Sequence, residues 1–255
     1  MRIISYNLNG IRAAIKKGLI AWLSTDPADI ICFQETKATS ADVDLKAIEA
    51  LGYYTYWFSA QKKGYSGVAI FSRVPADKVI NGTGHEQSDF EGRVIQADFG
   101  DITIINAYFP SGTSGTDRQG YKYMWLNEFQ EYIVKLRKKQ KKMIVTGDYN
   151  IAHTATDIHD PKGNKNSSGF LPEERKWMDG WVATGMMDTF RILHPDAIGA
   201  YSWWSQRFPD LRLKNKGWRI DYICVTENLK NQLKTAAIYP DVIHSDHCPV
   251  FVELE

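Results

Sequence analysis

Four short apolar runs in this chain have the length and composition of buried strands, and each ends in side chains that could bind a metal or a phosphate. Runs of four to eight apolar residues bounded by polar residues are typical of strands in the core of a layered fold. The polar ends are Asn7, Glu35, Asp148 with Asn150, and Asp246 with His247. Because strands of one core can end at the same edge, the sequence predicts that these groups converge.

The composition is that of an ordinary globular protein. Hydrophobic residues make up 44% and charged residues 24% of the 255 residues, and the net charge is +1. The scattered Cys32, Cys224 and Cys248 fit neither a disulfide framework nor a thiolate metal cluster, so buried core thiols are favoured over reactive ones. No apolar run approaches the ~18 to 20 residues of a membrane span, and no signal peptide is recognisable. We expect a cytoplasmic protein without membrane contact.

The order of the predicted elements favours an α/β sandwich. Strands are expected at residues 2–6, 29–34, 53–58, 65–72, 77–81, 93–99, 102–108, 143–148, 201–204, 218–225, 234–239 and 247–253. Helices are expected near 11–23, 42–51, 117–139 and 172–184. No linker, repeat or nucleotide-binding glycine loop is present. We expect one domain, residues 1–255, with two mainly antiparallel β-sheets packed face to face and flanked by helices.

Asp148 and Asn150 are two residues apart at a predicted strand end, so their side chains can address one atom or one water molecule. Gly147 before them permits close backbone approach. The same Gly-Asp-Tyr-Asn sequence is also a plausible turn, because these residue types dominate turns. Both interpretations are open from this motif alone.

Asp221 lies inside an otherwise apolar predicted strand and therefore needs a partner, because a buried carboxylate without one is costly. His247, which follows Asp246 at a strand edge, is the obvious candidate, since a carboxylate fixes the tautomer of a histidine and stabilises its charged form. Bonding of Asp221 to local backbone is the alternative. Tyr108 ends another predicted strand at a loop mouth, where it could pack as an ordinary aromatic or donate to a phosphate or leaving oxygen.

The candidate ligands are oxygen atoms apart from one imidazole, a set that suits Mg²⁺ or Mn²⁺ better than structural Zn²⁺. Basic residues cluster at 135–142, 162–166 and 212–219. The first cluster ends a predicted helix, where cations suit the negative end of the dipole. The other two lie in loops with Gly, Asn and Trp, and there phosphate contact is the better interpretation.

The chain resembles the exonuclease III family of apurinic/apyrimidinic (AP) endonucleases, within the endonuclease/exonuclease/phosphatase superfamily. The matching stretches span residues 5 to 249 in family order, and among them are Ser5-Tyr6-Asn7-Leu8-Asn9-Gly10, Gln34-Glu35-Thr36-Lys37, Gly147-Asp148-Tyr149-Asn150 and Ser245-Asp246-His247-Cys248-Pro249. The resemblance implies a four-layered α/β sandwich and Mg²⁺-dependent cleavage 5′ to abasic sites in duplex DNA, with 3′ repair or 3′ to 5′ exonuclease activity and a single chain as the acting unit.

The resemblance also assigns roles by position. Glu35 corresponds to the main metal ligand, and Asn7, Asp148, Asn150, Asp246 and His247 would complete one or two metal positions. Asp148 corresponds to the residue that activates water, Asn150 to a transition-state stabiliser, and His247, oriented by Asp221, to a group beside the scissile phosphate. Tyr108 matches the active-site tyrosine. Trp203 and Trp218 correspond to walls of a pocket for a flipped-out abasic sugar, and the backbone-gripping positions are Arg12, Lys37, Tyr65, Arg93, Asn164 and Lys165.

The chain departs from the family at three positions. Asn9 stands where some relatives carry Asp, Trp203-Trp204 puts a bulkier ring where other members carry Phe, and Ser167 stands where some carry Asn. Two other functions remain to be weighed. A superfamily phosphatase for phosphorylated small molecules or lipid headgroups could share the same catalytic set, although the two tryptophans favour DNA. A catalytically inactive DNA-binding protein is disfavoured, because every catalytic position holds a competent residue.

Overall fold

Twelve strands form two six-stranded sheets in the computed structural model, which describes residues 1–208 and 210–255. In chain order the strands are β1 Arg2–Asn7, β2 Ile30–Gln34, β3 Tyr54–Phe58, β4 Val68–Ser72, β5 Lys78–Asn81, β6 Val94–Phe99, β7 Ile102–Tyr108, β8 Lys142–Asp148, β9 Met186–Asp188, β10 Asp221–Thr226, β11 Leu233–Ile238 and β12 Val250–Leu254. The strand order is β11-β12-β1-β2-β4-β3 in one sheet and β5-β6-β7-β8-β10-β9 in the other. Among these strands β1 pairs with β2 and β7 with β8 in parallel, and the remaining neighbours pair antiparallel.

The described residues form eight α-helices, and the longer ones lie on the outer faces of the two sheets. The helices are α1 Ile11–Lys16, α2 Leu19–Thr25, α3 Lys46–Ala50, α4 Glu86–Phe90, α5 Thr116–Arg137, α6 Pro172–Ala183, α7 Thr189–Leu193 and α8 Asp210–Leu213. Aromatic and aliphatic side chains of α5 and α6 pack on the second sheet, and those of α1 and α2 pack on the first. A third apolar cluster, rich in Ile and Val from both sheets, fills the space between them. The expected sandwich of two sheets and two helical layers is confirmed.

Several predicted elements differ from those observed. The helix expected over 11–23 is two helices, broken at Gly18 with φ 97°. Residues 201–204 form no strand, because Trp203 makes only isolated bridges, to Trp218 and His247. The strands expected from 65, 218 and 247 begin at Val68, Asp221 and Val250. The short elements β9, α4 and α7 were not predicted, since three to five residues are too few for a periodic pattern.

The topology brings the polar strand ends to one edge of the sandwich. Parallel pairing places Asn7 beside Gln34 and Tyr108 beside Asp148, and the antiparallel start of β10 places Asp221 beside Asp148. The three cysteines are buried and free, as expected. Within the described residues no helix combines the length and apolarity that a membrane crossing needs.

Candidate active site

Glu35, Asp148 and His247 meet at this edge, and their ligand atoms all lie within 4.8 Å of one another. They come from the end of β2, the end of β8 and the loop before β12. Asn7, at the fourth strand end, donates to both Glu35 and Asp148, so the convergence inferred from four strand ends is present.

Asp148 is 1% exposed, and neighbouring amides fix the position of its carboxylate. Its Oδ1 accepts the backbone N–H of Asn150 at 2.8 Å, and its Oδ2 accepts the side-chain amides of Asn7 at 2.8 Å and Asn150 at 3.2 Å. Burial raises the pKa of Asp148, an effect that His247 opposes and that Asp221 reinforces. A carboxylate with a raised pKa is a stronger base towards water.

The backbone around Asp148 depends on two unusual conformations. Gly147 has φ 145°, and a Cβ atom there would lie 1.8 Å from the carbonyl oxygen of Ala107, so only glycine permits this approach of β7 and β8. Asn150 has φ 52°, a left-handed conformation that asparagine tolerates better than most residues. Its side-chain amide donates to the carbonyl of Phe109 at 2.9 Å. The residues of the predicted turn thus do form a turn, but one that positions Asp148 and Asn150 towards the cleft.

His247 is paired with Asp221 as predicted. Its Nδ1 lies 2.9 Å from Oδ2 of Asp221, and its Nε2 lies 3.8 Å from Oδ2 of Asp148. Burial alone would lower the pKa of His247, but Asp221 and Asp148 outweigh it and raise that pKa. The imidazole is therefore held in its charged form. Ser202 completes the arrangement by donating to Asp221 at 2.6 Å while accepting the backbone N–H groups of Ile220 and Asp221, each at 3.1 Å.

Glu35 is the carboxylate of the cluster that is partly open to solvent. Its Oε1 accepts the Asn7 amide at 2.9 Å, and its Oε2 pairs with the ammonium group of Lys37 at 2.8 Å. Both Glu35 and Lys37 adopt left-handed backbone, with φ 48° and 49°. Long side chains adopt this conformation at a cost of about 1 to 3 kcal/mol, and such residues cluster at functional sites.

Asp246 is linked to Glu35 through Asn9 and Lys37. Asn9 donates to Oδ1 of Asp246 at 3.0 Å and accepts a short hydrogen bond from Lys37. The other oxygen, Oδ2, accepts the indole N–H of Trp203 at 3.2 Å. Burial raises the pKa of Asp246, but His247, Asn9 and Trp203 together hold it below its usual value. Asp246 is therefore ionised and joins the carboxylates to the aromatic wall.

Tyr108 borders the cleft beside Glu35. Burial, reinforced by Glu35, raises the pKa of Tyr108 well above its usual value, so the phenol stays neutral and able to donate. Arg93 packs over its ring at 4.7 Å, donates to its backbone carbonyl at 2.9 Å and also donates to the hydroxyl of Tyr65 at 3.2 Å. Arg93 thus contacts both Tyr108 and Tyr65 from the buried side.

The cluster opens into a cleft of about 800 Å³. Trp203 and Trp218 form one wall, with ring centroids 5.8 Å apart and planes at 83°. The loop segments 111–116 and 166–171 contribute small and polar side chains to the lining. A larger cleft of about 1020 Å³, lined by apolar residues such as Ile198 and Ile243, contains none of the convergent groups. Size alone therefore does not identify the site, whereas the convergence of charged groups does.

The predicted DNA contacts fall into different environments. Arg12 and Lys165 are exposed and Tyr65 is half-buried. Asn164 is half-buried and donates to the carbonyls of His159 and Asp160, which shapes the basic loop. Lys37 points inward to Glu35. Arg93 is 1% exposed, so the prediction that its side chain grips the DNA backbone is corrected: a guanidinium enclosed by Glu91, Tyr65 and Tyr108 has no face left for a phosphate.

Several residues of the site were not predicted. Ser202 donates to Asp221 and Asn9 donates to Asp246, and the only signal of either in the sequence is proximity to motif residues. Lys122 and Glu174 form a fully buried ion pair behind Asn150, at 2.6 Å. Lys122 lies in helix α5 among buried aromatic residues. A lysine next to core positions is the one signal that could have revealed it.

The site's residues fit a hard divalent cation. The carboxylates of Glu35 and Asp148 lie together, bridged by the Nδ2 group of Asn7, and carboxylate oxygens suit Mg²⁺ or Mn²⁺. His247 fits less well as a ligand. Its Nδ1 is occupied by Asp221 and its raised pKa favours the protonated ring, which has no free lone pair. Its position suits the role beside a phosphate that the sequence also suggested.

Known proteins of similar sequence and structure carry nuclease names. Residues 4–247 match the model of the endonuclease/exonuclease/phosphatase family. An exodeoxyribonuclease of Bacillus subtilis is 44% identical over 98% of both chains, and a DNA repair nuclease of Danio rerio is 37% identical over 98% of this chain and 81% of that protein. A solved AP endonuclease from Archaeoglobus fulgidus superposes with a TM-score of 0.91 at 28% identity, covering 100% of this chain and 99% of that one.

Proposed function

The chain belongs to the endonuclease/exonuclease/phosphatase family and to its DNA-repair nucleases, and we propose that it hydrolyses the phosphodiester on the 5′ side of abasic sites in duplex DNA. The observation that carries the proposal is the pairing of a basic carboxylate, Asp148, with a charged imidazole, His247, on one side of an aromatic-walled cleft. Hydrolysis of a phosphodiester needs both a base and a cation.

The residues divide the work of the reaction. Asp148 takes a proton from water, whose oxygen attacks phosphorus as the bond to the 3′ oxygen of the neighbouring nucleotide breaks. Charge builds on the phosphoryl oxygens, and the His247 imidazolium and the Asn150 amide lie beside Asp148 to offset it. The neutral Tyr108 phenol is available as a donor to the same phosphate or to the leaving oxygen. The products are a 3′ hydroxyl and a 5′ phosphate on the abasic sugar.

We propose Glu35 as the main ligand of Mg²⁺, with Mn²⁺ as a substitute and with Asn7, Asp148, Asn150 and Asp246 completing one or two positions. When bound, the ion polarises a phosphoryl oxygen and neutralises charge on the leaving group. His247 is not included among these ligands, for the reasons of protonation given above.

The tryptophan wall supports the choice of substrate. An abasic nucleotide is the cheapest to rotate out of the helix, because it has no base to unstack or unpair. Trp203 and Trp218 would then enclose the bare sugar. Exposed basic side chains such as those of Arg12 and Lys165 would contact the flanking phosphates. Because one chain supplies groups from both sheets to the site, we also propose that residues 1–255 act as a single domain and as a monomer on duplex DNA.

The same cleft would process 3′ ends. A terminal phosphodiester presents the same phosphorus and the same leaving oxygen, and the relative of 44% identity is named an exodeoxyribonuclease. We therefore include removal of 3′ blocking groups and 3′ to 5′ exonuclease activity in the proposal.

The test is incision of a duplex with one abasic analogue in the presence of Mg²⁺. We expect one internal cut, 5′ to the analogue, with no cleavage in EDTA and no internal cut in the undamaged duplex. Asp101→Asn is the matched control for Asp148→Asn, because Asp101 is an exposed acid at the opposite end of the same strands. An intact strand, together with release of phosphate from an inositol phosphate, would replace the nuclease with the phosphatase alternative.

A further inference from the structure

A buried ion pair lies directly behind the site. Lys122 of α5 and Glu174 of α6 are both 0% exposed, and Nζ lies 2.6 Å from Oε1. Taking both charges out of water is unfavourable, and their attraction offsets that cost only where further hydrogen bonds satisfy both groups. An apolar pair of the same volume would avoid this desolvation cost, so the ion pair needs an explanation other than stability.

Lys122 reaches the site through the backbone of Asn150. Its ammonium group donates to the carbonyl oxygen of Asn150 at 2.8 Å. Asn150 is in the left-handed conformation, and its own N–H is committed to Asp148. From a helix outside the turn, the ammonium group thus holds the peptide group that follows Asn150.

Glu174 reaches the loop beside the Asn150 turn, where the backbone N–H of Ala152 donates to the carbonyl of Gly169 at 2.8 Å. Its Oε2 accepts the backbone N–H groups of Gly169 at 2.6 Å and Leu171 at 3.0 Å, both in the loop that lines the cleft. Its Oε1 also accepts the side-chain amide of Gln119 at 3.1 Å, and Gln119 in turn accepts from Ser168 at 2.7 Å. One carboxylate therefore anchors the loop at three points.

We propose that Lys122 and Glu174 are a positioning pair, which holds the Asn150 turn and the adjacent 166–171 loop in a fixed arrangement at the cleft. The inference rests on the proposed nuclease function, since its benefit is a preformed site for the phosphodiester. Neither residue touches the substrate. A misplacement of about 1 Å in reacting groups costs about 100-fold in rate, so a small relaxation of Asn150 has a measurable effect.

The experiment separates positioning from stability. Lys122→Met removes the donor to Asn150, and we expect kcat on the abasic duplex to fall about 10- to 100-fold. Affinity for the abasic duplex in EDTA should stay within threefold, because the loop anchors on Glu174 remain. Lys122→Met also leaves a buried carboxylate without its cation, so Tm should fall as well.

The double variant Lys122→Met/Glu174→Gln removes both charges but keeps an oxygen acceptor for Gly169 and Leu171. We expect its Tm to recover towards the wild-type value while kcat stays low, because Asn150 still lacks its donor. The exposed pair on the same helix, Lys135→Met/Glu131→Gln, is the matched control and should change neither quantity. All assays are run below the lowest Tm.

Recovery of kcat together with Tm in the double variant would overturn the inference, as would a kcat of Lys122→Met within twofold of wild type. Failure of wild-type protein to cut the duplex is a different result, and it would refute the proposed function instead. A double variant whose kcat stays low although its Tm is restored supports positioning. If the pair acted only through stability, kcat would recover together with Tm.

Discussion

Two of the buried clusters of charged residues described in this structure have opposite balances of charge. In one, Arg219 pairs with Asp157 at 2.7 Å and with Asp188 at 2.8 Å, and Arg191 pairs with Asp157. Here cations and anions are balanced. At the active site Glu35, Asp148, Asp221 and Asp246 share the cations of His247 and Lys37, so negative charge is in excess.

The pKa values follow this difference. Burial would raise the pKa of Asp157, but Arg219 and Arg191 outweigh it and hold that pKa well below its usual range. Burial raises the pKa of Asp148, and the neighbouring Asp221 adds to the effect. A cluster with balanced charge stabilises the fold. A cluster with excess negative charge favours the binding of a cation and raises the pKa of a buried carboxyl group such as that of Asp148.

The sharpest contrast would come from replacing each aspartate by asparagine. Asp148→Asn removes the base, and we expect cleavage of the abasic duplex to fall at least 1000-fold, within the range of about 10²- to 10⁴-fold for general-base catalysis. Affinity for the same duplex should stay within about tenfold, or ~1.4 kcal/mol. Turnover and binding are measured separately. Retained turnover would refute the role of Asp148.

Asp157→Asn should instead act on stability. It leaves the buried guanidinium groups of Arg219 and Arg191 without their shared anion, and breaking such pairs costs about 3 to 5 kcal/mol. Urea unfolding gives the free energy of unfolding, and kcat of the folded fraction should stay near wild type. Asp210→Asn, in the exposed pair with Lys214, is the matched control and should leave Tm unchanged. An equal loss of stability in Asp148→Asn and Asp157→Asn would remove the distinction between the two clusters.

The Asp221→Asn variant tests whether charge on His247 matters. Asp221 is the nearest anion that raises the pKa of His247, so its removal should lower that pKa. A group with a raised pKa is charged below that pKa and loses its charge as pH rises through it. We expect kcat to fall about 10- to 100-fold at neutral pH, and its ratio to the wild-type kcat at the same pH to recover partly as pH is lowered. A pH profile parallel to that of wild type would contradict the charged role of His247.

The sequence identified the active cluster better than the balanced one, for a physical reason. Glu35, Asp148 and His247 follow apolar runs, so their exposure at a strand end is readable from a local pattern. Asp157 and Arg219 are far apart in sequence, and nothing local shows that they meet. The same limit applies to Lys122 and Glu174. For Arg93 the motif was recognised but the contact was wrong, because a position in a motif does not show which way a long side chain points.

The fold was predictable to a similar degree. Long periodic segments such as α5 were placed within a few residues, whereas β9 and α7 are too short to show a period. Trp203 was expected in a strand and lies in irregular backbone held by single bridges. Such segments are defined by tertiary contacts, which a local pattern does not contain.

The smallest effect we expect concerns acid stability of the balanced cluster. Because the pKa of Asp157 in the folded protein is lower than in the unfolded chain, its ion pairs contribute stability above the unfolded value of about 3.9, and this contribution is lost as pH falls towards the folded value. The destabilisation by Asp157→Asn should therefore be full at pH 7 and shrink below about pH 4. Unfolding free energies of both proteins across this range measure it. A penalty that stays constant down to pH 3 would mean that Asp157 acts through its hydrogen bonds to Thr154 and not through its charge.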